Sequence, residues 1–104
     1  MEEINILTWL SEWYKSNCDG DWEHDYGLKI ETLDNPGWSL TIDLENTKIE
    51  IKEREWNYFE ENDFDWFGYK VKDGKYEASG DPSKLEVLIG KFKAIVEESQ
   101  KESL

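Results

Sequence analysis

Tyr26-Gly27-Leu28-Lys29-Ile30-Glu31-Thr32-Leu33-Asp34-Asn35-Pro36-Gly37-Trp38-Ser39-Leu40-Thr41-Ile42-Asp43-Leu44 is the stretch that decides the fold. Tyr26, Leu28 and Ile30 alternate with Gly27, Lys29 and Glu31, and Trp38, Leu40, Ile42 and Leu44 alternate with Ser39, Thr41 and Asp43. A period of two belongs to strands with one buried and one wet face. Between the two runs, Asp34-Asn35-Pro36-Gly37 sets a proline of fixed φ before a glycine that tolerates φ > 0, the pairing a tight turn takes at its centre. An antiparallel hairpin follows.

Working outward, Ile6, Trp9, Leu10 and Trp13 stand at i, i+3, i+4 and i+7, which predicts an amphipathic helix from about Glu3 to Ser16. C-terminal to the hairpin, a turn at Glu45-Asn46 leads into Thr47 to Glu55, where Ile49 and Ile51 alternate with Lys48, Glu50 and Lys52 and a third strand is expected. Phe67, Tyr69 and Val71 alternate with Gly68, Lys70 and Lys72. Asp73-Gly74 then supplies the two-residue turn that matches strand twist, and Lys75 to Ser79 returns. Gly80-Asp81-Pro82 reads as a helix start, with Asp81 as N-cap and Pro82 in the first turn. Leu85, Leu88, Ile89, Phe92 and Val96 form the apolar stripe of that helix, which tolerates Gly90 at a cost of about 1 kcal/mol against alanine. The fold expected is α+β: an antiparallel sheet of about five strands in a meander, with an N-terminal and a C-terminal helix on one face. The other face, carrying Lys29, Thr41, Asp43, Glu50, Lys52, Lys70 and Lys72, is left to solvent or to a partner.

With 104 residues, one domain over 1–104 is expected. Hydrophobic residues make up only 38% but aromatics 14%, so large rings, each burying roughly 150–250 Å², must supply much of the core. Twelve Lys+Arg against 25 Asp+Glu leave a net charge of -13, which repels phosphate backbones and anionic lipid and attracts basic surfaces. Neither nucleic acid nor a membrane is expected as partner, and no apolar run approaches the roughly 18 residues of a membrane span. A single cysteine forms no internal disulfide, and Met1-Glu2-Glu3 opens no signal peptide, so a cytoplasmic location is expected.

Two segments could carry function. Cys18-Asp19-Gly20-Asp21-Trp22-Glu23-His24-Asp25-Tyr26-Gly27 holds the only cysteine, the only histidine and four acids with no Lys or Arg. Extended, it would align Asp19, Asp21, Glu23 and Asp25 on one side for a hard cation. The calcium-loop pattern fails, however, because from Asp19 the glycine position is His24 and the bidentate acid position is Ile30. No paired-cysteine or paired-histidine spacing suits zinc. Cys18 with His24 is the one cysteine–base pair open to nucleophilic chemistry, and a cysteine ending a helix is more often a small buried residue. Nothing marks an enzyme, and no cofactor or metal is expected; a small metal- or ligand-binding domain using Cys18 to Asp25 is the first alternative function, and a small enzyme using Cys18 or the carboxylates the second. The second segment, Glu53 to Phe67, interleaves six acids and one base with six aromatics. Aromatic anchors ringed by acids suit an interface with a basic protein.

The chain resembles the immunity protein 53 family of bacterial polymorphic toxin systems. The resemblance rests on Trp9-Leu10 with Trp13-Tyr14, on Cys18-Asp19-Gly20-Asp21-Trp22-Glu23-His24 with Tyr26-Gly27, and on Thr32-Leu33-Asp34-Asn35-Pro36-Gly37-Trp38 with Ile42-Asp43-Leu44. It extends more weakly to Gly80-Asp81-Pro82, Leu85 and Phe92. It implies a small cytoplasmic antidote that binds and blocks a cognate protein toxin. The charge of -13 makes a basic nuclease domain one such target, and the free protein is expected to be monomeric. The resemblance supplies no toxin contacts. From the residues themselves, Asp19, Asp21, Trp22, Glu23, His24, Trp56, Tyr58, Glu60, Glu61, Asp63 and Asp65 are the expected partner-binding set.

Overall fold

A computed structural model describes residues 5–47 and 50–102. The elements run α1 (Ile6–Asn17), α2 (Trp22–Asp25), β1 (Leu28–Leu33), β2 (Gly37–Asp43), β3 (Arg54–Asn62), β4 (Asp65–Lys72), β5 (Lys75–Gly80) and α3 (Leu85–Glu102). The expected α+β class holds, with five antiparallel strands and a helix towards each end of the chain.

The strand order is β1-β2-β5-β4-β3, so the sheet is not the plain meander expected. Tight turns tie β3 to β4 and β4 to β5, and the chain from Leu44 to Glu53 carries β3 to the far edge, which lets β5 return beside β2. Burial explains this order. Tyr76, Ala78 and Gly80 of β5 and Leu40 and Ile42 of β2 are buried and take the centre, whereas acid-rich β3 lies exposed at an edge, where charge discourages further strand pairing.

The third strand also moves. In the region expected from Thr47 to Glu55, Thr47 and residues 50–53 are irregular, residues 48–49 lie outside the described residues, and pairing begins at Arg54. Ile51 packs on the core without joining the ladder. An edge strand exposed on both faces shows no wet–dry alternation, so β3 was hidden behind the Ile49/Ile51 pattern.

The first hairpin pairs Leu28 with Ile42 and Leu33 with Gly37 as its alternation requires. Gly37, however, is not a left-handed turn residue but the first residue of β2; a Cβ there would strike the Gly80 carbonyl, so close approach of β5 is what demands glycine. At the β4–β5 turn Asp73 and Gly74 do take φ of 53° and 73°, as a two-residue hairpin of this twist requires.

Asn5 caps α1 by accepting the Leu7 and Thr8 N–H groups at 2.9 and 3.2 Å. Trp9 and Trp13 of its apolar stripe meet Phe92 of α3 edge-on, and α1 packs chiefly against α3. In turn α3 covers β5, β2 and β4 with Leu88, Ile89, Phe92, Ile95 and Val96. It begins at Leu85, later than Asp81-Pro82 suggests. Asp81 instead extends the β5–β4 ladder and spends its carboxylate elsewhere, as described below.

Candidate functional site

By register, the face away from the helices carries Lys29, Glu31, Ser39, Thr41, Glu77, Ser79, Gly68, Lys70, Trp66, Tyr58 and Glu60. Its β1, β2 and β5 part is polar, with Lys29–Glu31 and Lys70–Glu77 pairs at 3.3 and 3.5 Å. Its β3–β4 end is aromatic. Trp56 and Tyr58 stack with centroids 6.3 Å apart, and Tyr58 meets Trp66 at 6.5 Å. Gly68 makes this possible: a Cβ there would lie 2.6 Å from the Trp56 ring. Likewise Trp66 reaches across to the missing side chain of Gly37.

At the end of this stripe, Asn35, Tyr58, Glu60, Asp63 and Trp66 line an open cavity of about 310 Å³. Burial against its neighbours pushes the Tyr58 hydroxyl above the ordinary tyrosine range, and the charges of Glu60 and Asp63 push it the same way. Among the described residues, no Lys or Arg pairs with Glu60 or Asp63. Beyond the cavity, Phe64 caps the β3–β4 turn at 86% exposure, its N–H held by the Asn62 side chain at 2.8 Å.

This site hangs on Asp81, which is 1% exposed. Its carboxylate accepts the Trp66 N–H at 2.9 Å, the Ser83 N–H and hydroxyl at 2.8 and 2.6 Å, and the Lys84 ammonium at 2.7 Å. Burial favours the neutral acid, but these donors, Lys84 and Ser83 foremost, prevail and hold the carboxyl well below the usual carboxylate range. Lys84 also pairs with Asp65 at 2.7 Å; Asp65 and then Asp81 raise its pKa.

The expected partner-binding residues therefore divide. Trp56, Tyr58, Glu60 and Asp63 come together on the open face, while Glu61 lies exposed at the irregularity between Glu60 and Asn62 and does not line the cavity. Asp65 is engaged by Lys84. The Cys18 to Asp25 residues form a separate structure. Asp19 accepts the Asp21 and Trp22 N–H groups, and Glu23 accepts those of Asp19 and Gly20. Its own backbone N–H foremost, and then those of Asp19 and Gly20, lower the Glu23 pKa despite opposing desolvation. Trp22 is 3% exposed among Trp13, Tyr14 and Tyr26, and its indole N–H reaches the Glu45 carbonyl at 2.9 Å. Asp21 and His24 are exposed. Because this segment turns into α2 rather than running extended, its acids are not aligned, and among the described residues no group of three or more His, Cys, Asp or Glu is assembled as a metal site. Cys18 is exposed rather than buried, its thiol donating to the Tyr14 carbonyl at 3.3 Å.

The two segments also lie apart. Trp22 is tied to Glu45, beyond the C-terminal end of β2, and the aromatic cavity adjoins Asn35, ahead of its N-terminal end. Seven strand residues separate those ends by roughly 20 Å, at about 3.3 Å per residue. Residue-by-residue inspection missed Trp66, Phe64 and Asn35 as members of the site. The first two stand in the acidic aromatic segment, but only the register shows which of its rings point outward.

The family model for immunity protein 53 matches residues 7–97, from the first turn of α1 to the last third of α3 and through every strand of the sheet. The chain belongs to the immunity protein 53 family. Neither a curated protein nor a solved structure matches it. Membership of this family assigns an immunity role, that of an inhibitor acting on a toxin. No helix among the described residues of this immunity protein is long and apolar enough to cross a membrane.

Proposed function

We propose that this immunity protein neutralises its toxin by docking the β3–β4 end of the open sheet face, with Trp56, Tyr58 and Trp66 as anchors and Glu60 and Asp63 as the charges that engage a basic surface. The observation that carries this is the exposed stacked stripe set against carboxylates that no Lys or Arg of the described chain neutralises. Aromatic rings held rigid by stacking lose little entropy on binding, and hot spots are enriched in Trp and Tyr. Acids beside them that no described Lys or Arg neutralises, in a chain of net charge -13, steer a cationic partner and set its orientation. A nuclease domain with a basic substrate groove is a target of this chemistry, and covering that groove would block access without any turnover by the inhibitor. The Asp19 to Asp25 residues are assigned to bracing the fold, with Asp21 and His24 outside the docking surface.

The test is co-expression of the toxin encoded beside this chain with and without it, followed by purification of the pair and binding measurements across salt concentrations. Rescue and a one-to-one complex that weakens with salt are expected. Trp56→Ala and Tyr58→Ala should each weaken the complex about 30-fold, the equivalent of about 2 kcal/mol, while Asp21→Ala and His24→Ala leave it intact. Wild-type affinity in folded Trp56→Ala, Tyr58→Ala and Glu60→Lys variants would overturn the assignment of this face.

A further inference from the structure

Among the described residues the sheet ends in two edges, β1 and β3, and they differ in chemistry. Edge β3 carries Glu55, Glu60 and Glu61 and would repel its own copy. Edge β1 reads Leu28-Lys29-Ile30-Glu31-Thr32-Leu33 and is not charged in one sense. The Gly27 carbonyl accepts the Asp43 N–H at 2.9 Å, and residues 27 and 43 continue the β1–β2 register. By the alternation of an antiparallel ladder, residues 27, 29, 31 and 33 then turn their backbone polar groups towards β2, and Leu28, Ile30 and Thr32 turn theirs outward. Beside these groups lies an apolar cleft of about 680 Å³, left because α1 rests on α3 rather than on β1; Leu7, Tyr14, Leu28 and Ile30 are among its walls. Leu7 is 56% and Ile30 38% exposed.

From this edge we infer that the chain forms a two-fold dimer in which β1 pairs antiparallel with β1 of a second copy, centred on Ile30. The charge pattern selects both the occupant and the register. A two-fold centre on Lys29 or Glu31 sets like charges directly opposite, a centre on Leu28 brings Glu31 against Asp25, and a centre on Thr32 sets Lys29 and Glu31 opposite the uncharged Asn35 and Leu33. Only the Ile30 centre places each Lys29 opposite Glu31 of the other copy. It also makes Ile30 pair with Ile30 and Leu28 with Thr32 through the outward N–H and C=O groups, and sets Lys29 and Glu31 at the non-hydrogen-bonded positions, where side chains approach most closely. On the helix side the second copy's strand projects Ile30 along the open flank of the cleft. The pairing joins two sheets into one of ten strands and leaves the β3–β4 face free, so it is independent of the toxin-binding proposal. It departs from the monomer expected from sequence, where the edge was not visible.

Sedimentation velocity on the full chain tests this. The wild type should show twice the chain mass, and because each copy carries a net charge of -13, added salt should strengthen the dimer by screening the overall repulsion. Lys29→Glu alone and Glu31→Lys alone should each sediment as monomers with unchanged circular dichroism. The double exchange Lys29→Glu/Glu31→Lys should restore the dimer, and an equimolar mixture of the two single variants should form a heterodimer. Hydrogen exchange should show the Leu28, Ile30 and Thr32 amides protected in the dimer and unprotected in the single variants. A wild type that stays monomeric at its highest soluble concentration would overturn the inference. A dimer that persists in both single variants, or that leaves those three amides unprotected, would do the same.

Discussion

Replacing Asp81 probes the link between fold and site most directly. In Asp81→Ala the Trp66 N–H loses its side-chain acceptor, Ser83 loses two bonds, and Lys84 keeps the Asp65 carboxylate and a long bond of 3.4 Å to the Ser83 hydroxyl. A buried donor left unsatisfied costs about 1–3 kcal/mol, and loss of one member of a buried charged cluster about 3–5 kcal/mol. Because Asp65 still compensates Lys84, we expect the low end, about 3 kcal/mol, which in a domain of this size lowers Tm by more than about 10 °C. Asp81→Asn keeps an acceptor oxygen but sets an amide in place of the charge facing Lys84, and should lose about half as much. The pH dependence has a definite sign. The folded Asp81 pKa lies below that of the unfolded chain, so its contribution is present above the unfolded carboxylate pKa and fades as pH falls towards the folded value. The stability gap between wild type and Asp81→Asn should therefore be widest near neutrality and shrink below about pH 4. Urea unfolding of the three proteins from pH 7 to pH 3 measures it. A loss under about 1 kcal/mol in Asp81→Ala at pH 7, or a gap to Asp81→Asn that does not narrow in acid, would refute the claim that this carboxylate is held ionised by its donors.

Two further substitutions separate bracing from binding. Trp22→Phe should lose about 1–2 kcal/mol in chemical denaturation, from the lost indole bond to Glu45 and the smaller ring, yet leave toxin rescue intact. Gly37→Ala should lose about 1–3 kcal/mol because its methyl meets the Gly80 carbonyl; if the reason for glycine were a left-handed turn instead, Gly37→Asn would be tolerated, and a melting comparison of the two variants decides between them.

The sequence by itself determined the elements whose hydrophobic periods are strong. Ile6, Trp9, Leu10 and Trp13 mark α1, Leu28 to Ile42 mark the first hairpin, and Asp73-Gly74 marks the turn between β4 and β5, because side-chain period and turn chemistry are local properties. Net charge and the acidic aromatic segment likewise pointed to a basic protein partner. Tertiary structure alone decided the rest. β3 is exposed on both faces and carries no period, so only its pairing with β4 located it and showed that Trp56 and Tyr58 share a face with Trp66. Glu23 and Asp19 look like ligands when written in a line, but once the chain turns into α2 they are hydrogen-bond acceptors for their own backbone. Strand order depends on which strands can be buried together, and that is a property of the whole sheet: β5, late in the chain, takes the centre because Tyr76 and Ala78 need cover that only β2, β4 and α3 jointly provide.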